Sequence, residues 1–130
     1  MNSTTSTTSM TLPVTFEENY VLIGKNAPGG ERTPDMVADA LLRAMELCAE
    51  HRCFRILAMN DRPLRHATRE NVDLFVRRLA LFPGVRVAVC SRVYEPSELT
   101  AYYTDLARQH GTHVRYFTDR TEALQWLGAR

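Results

Sequence analysis

Two runs of nearly unbroken apolar residues constrain this chain more than any other feature: Ile56 to Met59 within "CFRILAMN" and Val87 to Cys90 within "VRVAVCS". A strand with one wet face alternates apolar and polar residues, whereas a strand apolar on both sides of its pleat needs cover on both faces. Between the two runs Val72, Phe75, Val76 and Leu79 return at threes and fours, the period of a helix with one apolar stripe. Strand, amphipathic helix and second strand of this kind form the repeating unit of a parallel α/β sheet.

The rest of the chain extends that unit in both directions. "MTLPVTF" and "YVLIGK" read as short strands with alternating apolar positions, joined by a polar link that suggests a hairpin. Pro13 lacks an N–H to give to a ladder, so the first strand belongs at a sheet edge. Thr33 and Pro34 suit a helix start, and Val37, Ala40, Leu41, Ala44, Leu47 and Cys48 form the inner face of the helix that follows. Thr68 is a candidate cap for the second helix. "EPSELTAYYTDLARQHG" is a third helix, with Leu99, Tyr102 or Tyr103, and Leu106 inward and Gly111 ending it. "THVRYFTD" is the last strand. In the last helix, "RTEALQWLG", Asp119 and Glu122 have capping-box spacing, and Ala123, Trp126 and Leu127 pack back onto the sheet. The order ββαβαβαβα predicts a single α/β domain over residues 10–130, with a five-stranded, mostly parallel sheet flanked by helices. Local patterning does not give the strand order.

Composition narrows the function classes. A chain of 130 residues can bury roughly two-thirds of its unfolded surface in one core without metal or disulfide. The net charge of +1 gives no global field to attract nucleic acid or an acidic membrane. Fifteen of the sixteen basic residues are Arg, which leaves room for a local anion site. Residues 1–9, "MNSTTSTTS", have no charge and nothing apolar after Met1, and read as a disordered tail. With no basic-then-apolar leader and no run of ~20 apolar residues, the expected location is the cytoplasm, without membrane insertion. Cys48, Cys53 and Cys90 make no CxxC pair and read as small buried hydrophobes. His51, His66, His110 and His113 have no metal-ligand spacing, so neither metal nor cofactor is expected.

"GKNAPGG" reverses the order of a P-loop, so Gly29 and Gly30 read as a loop rather than a phosphate cradle. Cys90 and Ser91 close a strand where functional residues of open sheets often lie, but no base partner is visible, and an enzyme using Cys90, Ser91 or His66 ranks third. Asp35, Asp39 and Glu46 fall on the solvent side of their helix. The aromatics of "VRYF" belong to a strand with a core face, so nucleic acid is not an expected partner. "NDRPLRHATREN", residues 60–71, is the strongest candidate. It begins at the carboxyl end of a buried strand, where ligands of open α/β sheets bind, and offers Asn60, Asp61, Arg62, Arg65 and His66. A phosphate on Thr68 would be stabilised by the helix amino end and nearby Arg side chains.

The stretch "VRYFTDRTEALQWLG", residues 114–128, together with the element order of residues 10–128, resembles the SpoIIAA-like, or STAS-like, superfamily, in particular its small bacterial members. That resemblance implies the same α/β fold. Members that act as anti-sigma factor antagonists bind a protein kinase and are switched at a Ser or Thr beginning the helix after the central strand. Thr68 is the nearest position here, although "MNDRPLRHATREN" lacks the Ser pair and Gly of that pattern. The expected function is a non-enzymatic regulatory or protein-interaction module. Its switch surface would comprise Asn60, Asp61, Arg62, Arg65, His66, Thr68 and Arg92, extended by Tyr102, Tyr103 and Arg108. Its partner would be a protein, with a kinase as the class the resemblance implies. A small-ligand binder, for lipid or nucleotide, is the alternative, and a concave apolar pocket at the carboxyl edge would favour it. The first strand leaves a homodimer open, and its edge Pro argues against free strand pairing.

Overall fold

The computed structural model describes residues 11–24, 33–60 and 67–128. The expected tail, the segment with Gly29 and Gly30, and Asp61, Arg62, Arg65 and His66 lie outside the described residues. The elements are β1 (Val14–Phe16), β2 (Val21–Ile23), α1 (Pro34–His51), β3 (Arg55–Met59), α2 (Arg69–Leu79), β4 (Arg86–Cys90), α3 (Glu98–Gln109), β5 (His113–Phe117) and α4 (Arg120–Leu127). The α/β order expected from the sequence is the order found.

The five strands lie side by side in chain order, β1-β2-β3-β4-β5. β1 runs antiparallel to β2 as a hairpin, in which the Gly24 amide donates to the Pro13 carbonyl at 2.9 Å. Pro13 therefore precedes an edge strand, where its missing donor costs the sheet nothing. The remaining three pairings are parallel, with Ile56 opposite Val87 and Cys90 opposite Phe117.

When strand order follows chain order, right-handed crossovers put successive helices on one face. That is the arrangement here. α1, α2 and α3 cover one face, packing on Val21, Ile23, Ile56, Ala58, Val87 and Val114. On the opposite face Leu57, Ala88 and Cys90 pack with Ala123 and Leu127 of α4. The pleat alternation inside β3 and β4 thus feeds two cores, which is why neither run has a polar interruption.

Local capping fixes where the helices begin. Thr33 Oγ1 accepts from the Met36 amide at 3.2 Å, Ser97 and Thr100 form a reciprocal box at α3, and Asp119 accepts from the Glu122 amide at 3.0 Å. The left-handed backbone after α3 falls on Gly111, as expected.

The carboxyl end of α4 is fastened by two arginines paired across β3 and β4. Arg55 Nε donates to the Leu127 carbonyl at 3.1 Å. Arg86 Nη1 donates to the Trp126 carbonyl at 3.0 Å, and its guanidinium lies 5.7 Å from the Trp126 ring centre. At the other end Arg120 donates to the Tyr20 hydroxyl at 3.0 Å. Trp126 packs against this second core as expected, half-buried beside Phe117, while Ala123 and Leu127 are the fully buried residues of the stripe.

Candidate functional site

Past the carboxyl ends of β3 and β4, hydrogen bonds continue the ladder to β4 and β5 in turn. The Asn60 amide donates to the Cys90 carbonyl at 2.9 Å, and the Ser91 amide to the Phe117 carbonyl at 2.8 Å. At this edge, between the sheet and the three-helix layer, lies a cavity of about 570 Å³. Its floor comes from Ile23, Ala58, Val87 and Val89 of the sheet, and its roof from α1, α2 and α3. The volume is in the range of small-molecule sites. Small residues on facing elements, Ala40 on α1 and Ala58 on β3, leave the space that larger side chains would fill.

Polar groups are few and concentrated along one side. Ser91 is 6% exposed, and its Oγ accepts from the Val93 amide at 3.2 Å. Tyr103 is 8% exposed, with its ring tilted against Phe75 at 5.9 Å between centres. Tyr94 and Tyr116 stack at 4.8 Å and 12°. All four line the cavity. Burial, and then the neighbouring Tyr116, pushes the Tyr103 phenol well above its ordinary range, and burial followed by Tyr94 does the same for Tyr116. These phenols are neutral donors at any physiological pH. Ser97 and Thr100 also line the wall, but each is occupied in capping α3. Val93, 51% exposed, stands among the lining residues as an apolar group open to solvent.

The residues expected to form the site divide. Asn60 lines the cavity, and so does Ala67 at the far end of the same connection. Thr68 caps α2 outside it. Its side chain accepts from the Asn71 amide at 3.2 Å while its own amide donates to Asn71 Oδ1 at 2.9 Å, a complete capping box on an exposed turn. Arg92 is exposed beside Ser91.

Of the adjacent tyrosines, Tyr103 is the buried one and does not extend the outer surface as expected. Tyr102 is half-buried, donates to Asp73 at 2.6 Å and lies 4.8 Å from the Arg69 guanidinium, tying α3 to α2. Arg108 is exposed and paired with Asp105 at 3.1 Å. The phenols of Tyr94 and Tyr116 carried no site signal in the sequence, since each reads as an ordinary loop or core aromatic.

The arrangement offers binding chemistry more readily than bond-making. Cys90 and Ser91 are neighbours in sequence, but Cys90 belongs to the α4 face while Ser91 lines the cavity on the other. The described histidines, His51, His110 and His113, fall at the ends of α1 and α3 and at the start of β5, hence at the amino edge of the sheet, away from Ser91. Among the described residues no group of three His, Cys, Asp or Glu side chains is arranged to hold a metal. No described helix is long and apolar enough to cross a membrane. Comparison of the chain with family models, curated proteins and solved structures finds no match.

Proposed function

We propose that this domain is a SpoIIAA-like, non-enzymatic regulatory module that takes a small molecule with an apolar body into the cavity at the carboxyl edge of its sheet. The cavity itself carries this reading. It is concave, chiefly apolar, and placed where open α/β sheets bind ligands. Asn60 and Ala67 border it from the two ends of the connection between β3 and α2, so occupancy and the surface around Thr68 are physically adjacent. The terminal "VRYFTDRTEALQWLG" motif and the element order support the family reading.

The test is uptake of the neutral dye Nile red by the full chain, read by fluorescence, against Ala58→Phe, which places a ring in the floor. Saturable binding by the wild type, weakened at least tenfold in a variant with unchanged far-UV dichroism, supports the reading. No uptake, or uptake indifferent to Ala58→Phe, removes it.

A second reading rests on Thr68. Its hydroxyl is exposed at the amino end of α2, where added negative charge is favourable. We infer a protein partner at this surface, a kinase being the class the family resemblance implies. Co-purification from the native host with wild type and Thr68→Glu tests it. A partner lost or changed with the acidic variant supports a charge switch, and an identical partner with both removes the switch.

A further inference from the structure

We propose that the ligand of this cavity is an uncharged molecule carrying a hydrogen-bond-accepting oxygen of the carbonyl class, held by the hydroxyls of Tyr103 and Ser91; this rests on the ligand-binding reading above. Both side chains are more than nine-tenths buried and both line the cavity. Among the described residues neither hydroxyl is seen to donate to a protein acceptor: Ser91 Oγ receives the Val93 amide, and Tyr103 packs its ring against Phe75 with its hydroxyl near Tyr116. Ser91 Oγ keeps its proton to give, and the Tyr103 hydroxyl has no acceptor among the described residues, so an acceptor oxygen entering the cavity can engage both.

The charge of the ligand follows from what else lines the space. Glu95 is the one ionisable carboxyl among the described lining residues, and no Arg, Lys or His is among them. Among the described lining residues a carboxylate or phosphate would meet no counter-charge and would lie beside Glu95. The amino ends of α2 and α3, the usual home for an anion, are already closed by the Thr68 and Ser97 boxes. A quaternary ammonium would use the tyrosines as a cage, but Tyr94 and Tyr116 present their faces to each other. Because burial keeps the Tyr103 phenol protonated, it acts as a donor. A carbonyl oxygen is the complement that remains.

Competition against Nile red tests this with four probes sharing one ring system: 2-acetylnaphthalene, 2-ethylnaphthalene, 2-naphthoate and a naphthyl trimethylammonium salt. The wild type is expected to bind the ketone about tenfold more tightly than the ethyl compound, the yield of one or two retained hydrogen bonds. Tyr103→Phe keeps the ring against Phe75 and should cut that preference to about threefold or less, with affinity for the ethyl compound unchanged. Ser91→Ala supplies the same comparison should Tyr103→Phe not fold. Nile red uptake with equal affinity for ketone and ethyl compound, a ketone preference that survives both variants, or tightest binding of the naphthoate or the ammonium salt overturns the carbonyl assignment and leaves the cavity reading standing. Absence of binding by Nile red and all four probes overturns both.

Discussion

Replacing Arg55 with Met keeps most of the aliphatic stem and removes the guanidinium that fastens α4. Three contacts go: Nε to the Leu127 carbonyl at 3.1 Å, Nη1 to the Asn19 carbonyl at 3.3 Å, and Nη1 to Cys53 Sγ at 3.7 Å. A hydrogen bond to a charged group contributes ~1.5–3 kcal/mol. The Asn19 carbonyl keeps a donor, since Cys53 Sγ reaches it at 3.0 Å, so the main loss is at Leu127. That bond also places positive charge at a helix carboxyl end, worth a further ~0.3–1 kcal/mol. Arg55 is half-buried, and water can reach part of what it leaves, so the net cost is about 2 kcal/mol out of the ~5–15 kcal/mol typical of such a domain. In urea, with a slope of roughly 2 kcal/mol/M, the midpoint should fall by about 1 M at constant slope. Arg86→Met, which removes an exposed arginine with one bond to the adjacent carbonyl and a solvent-screened contact over the Trp126 ring, should cost less than Arg55→Met. A shift below about 0.3 M for Arg55→Met, or a larger one for Arg86→Met, would refute the claim that the half-buried arginine is the principal fastening.

Thr68→Ala removes the acceptor for the Asn71 amide and should destabilise the domain by about 1 kcal/mol, whereas Thr68→Asp preserves a capping oxygen and should unfold near the wild-type midpoint; equal losses for the two would mean the cap contributes nothing. Stability should also fall in alkali. Burial, aided by Cys53, pushes the Cys48 thiol up to about 12 from its ordinary 9.0, and burial raises the Tyr103 and Tyr116 phenols above their ordinary 10.0. The folded state then holds protons that the unfolded chain releases, so this contribution is complete below about pH 9 and is lost as pH rises through the folded-state values. Urea midpoints that are flat from these groups between about pH 7 and 9 and decline above it are expected, with a weaker decline in Tyr103→Phe; a midpoint constant to about pH 11 would contradict the burial of these groups.

Much of the fold was legible because its determinants are local. Thr33, Thr68 and Asp119 act on amides three residues away, and Val72, Phe75, Val76 and Leu79 are all buried as their spacing predicts. Strand order was not legible, since it depends on pairings between segments with similar apolar runs. Tyr102 and Tyr103 stand about 100° apart around α3, and which one turns inward depends on the roll of that helix against α2 and β5. The cavity left least trace of all. Most of its apolar lining residues read as ordinary core, and the space becomes visible only when small residues such as Ala40, Ala58 and Ala67 are brought together from separate elements. Asn60 was found because a strand's carboxyl end is readable from its pattern. Ser91 stands out in the sequence only as a nucleophile beside Cys90, whereas its place on the cavity wall follows from the β4 pleat, which turns the two to opposite faces.

Strand order that follows chain order also has a meaning in time. Each strand emerging from the ribosome finds the edge it pairs with already made, so the sheet and its three-helix layer can assemble progressively during synthesis, one crossover at a time. The other face has no such schedule. Leu57, Ala88 and Cys90 are laid down early, but their cover, Ala123 and Leu127, is translated last. Until α4 docks, the nascent domain carries a bare apolar strip across its central strands. An unpaired apolar strip of this kind is the type of surface through which partly folded chains associate.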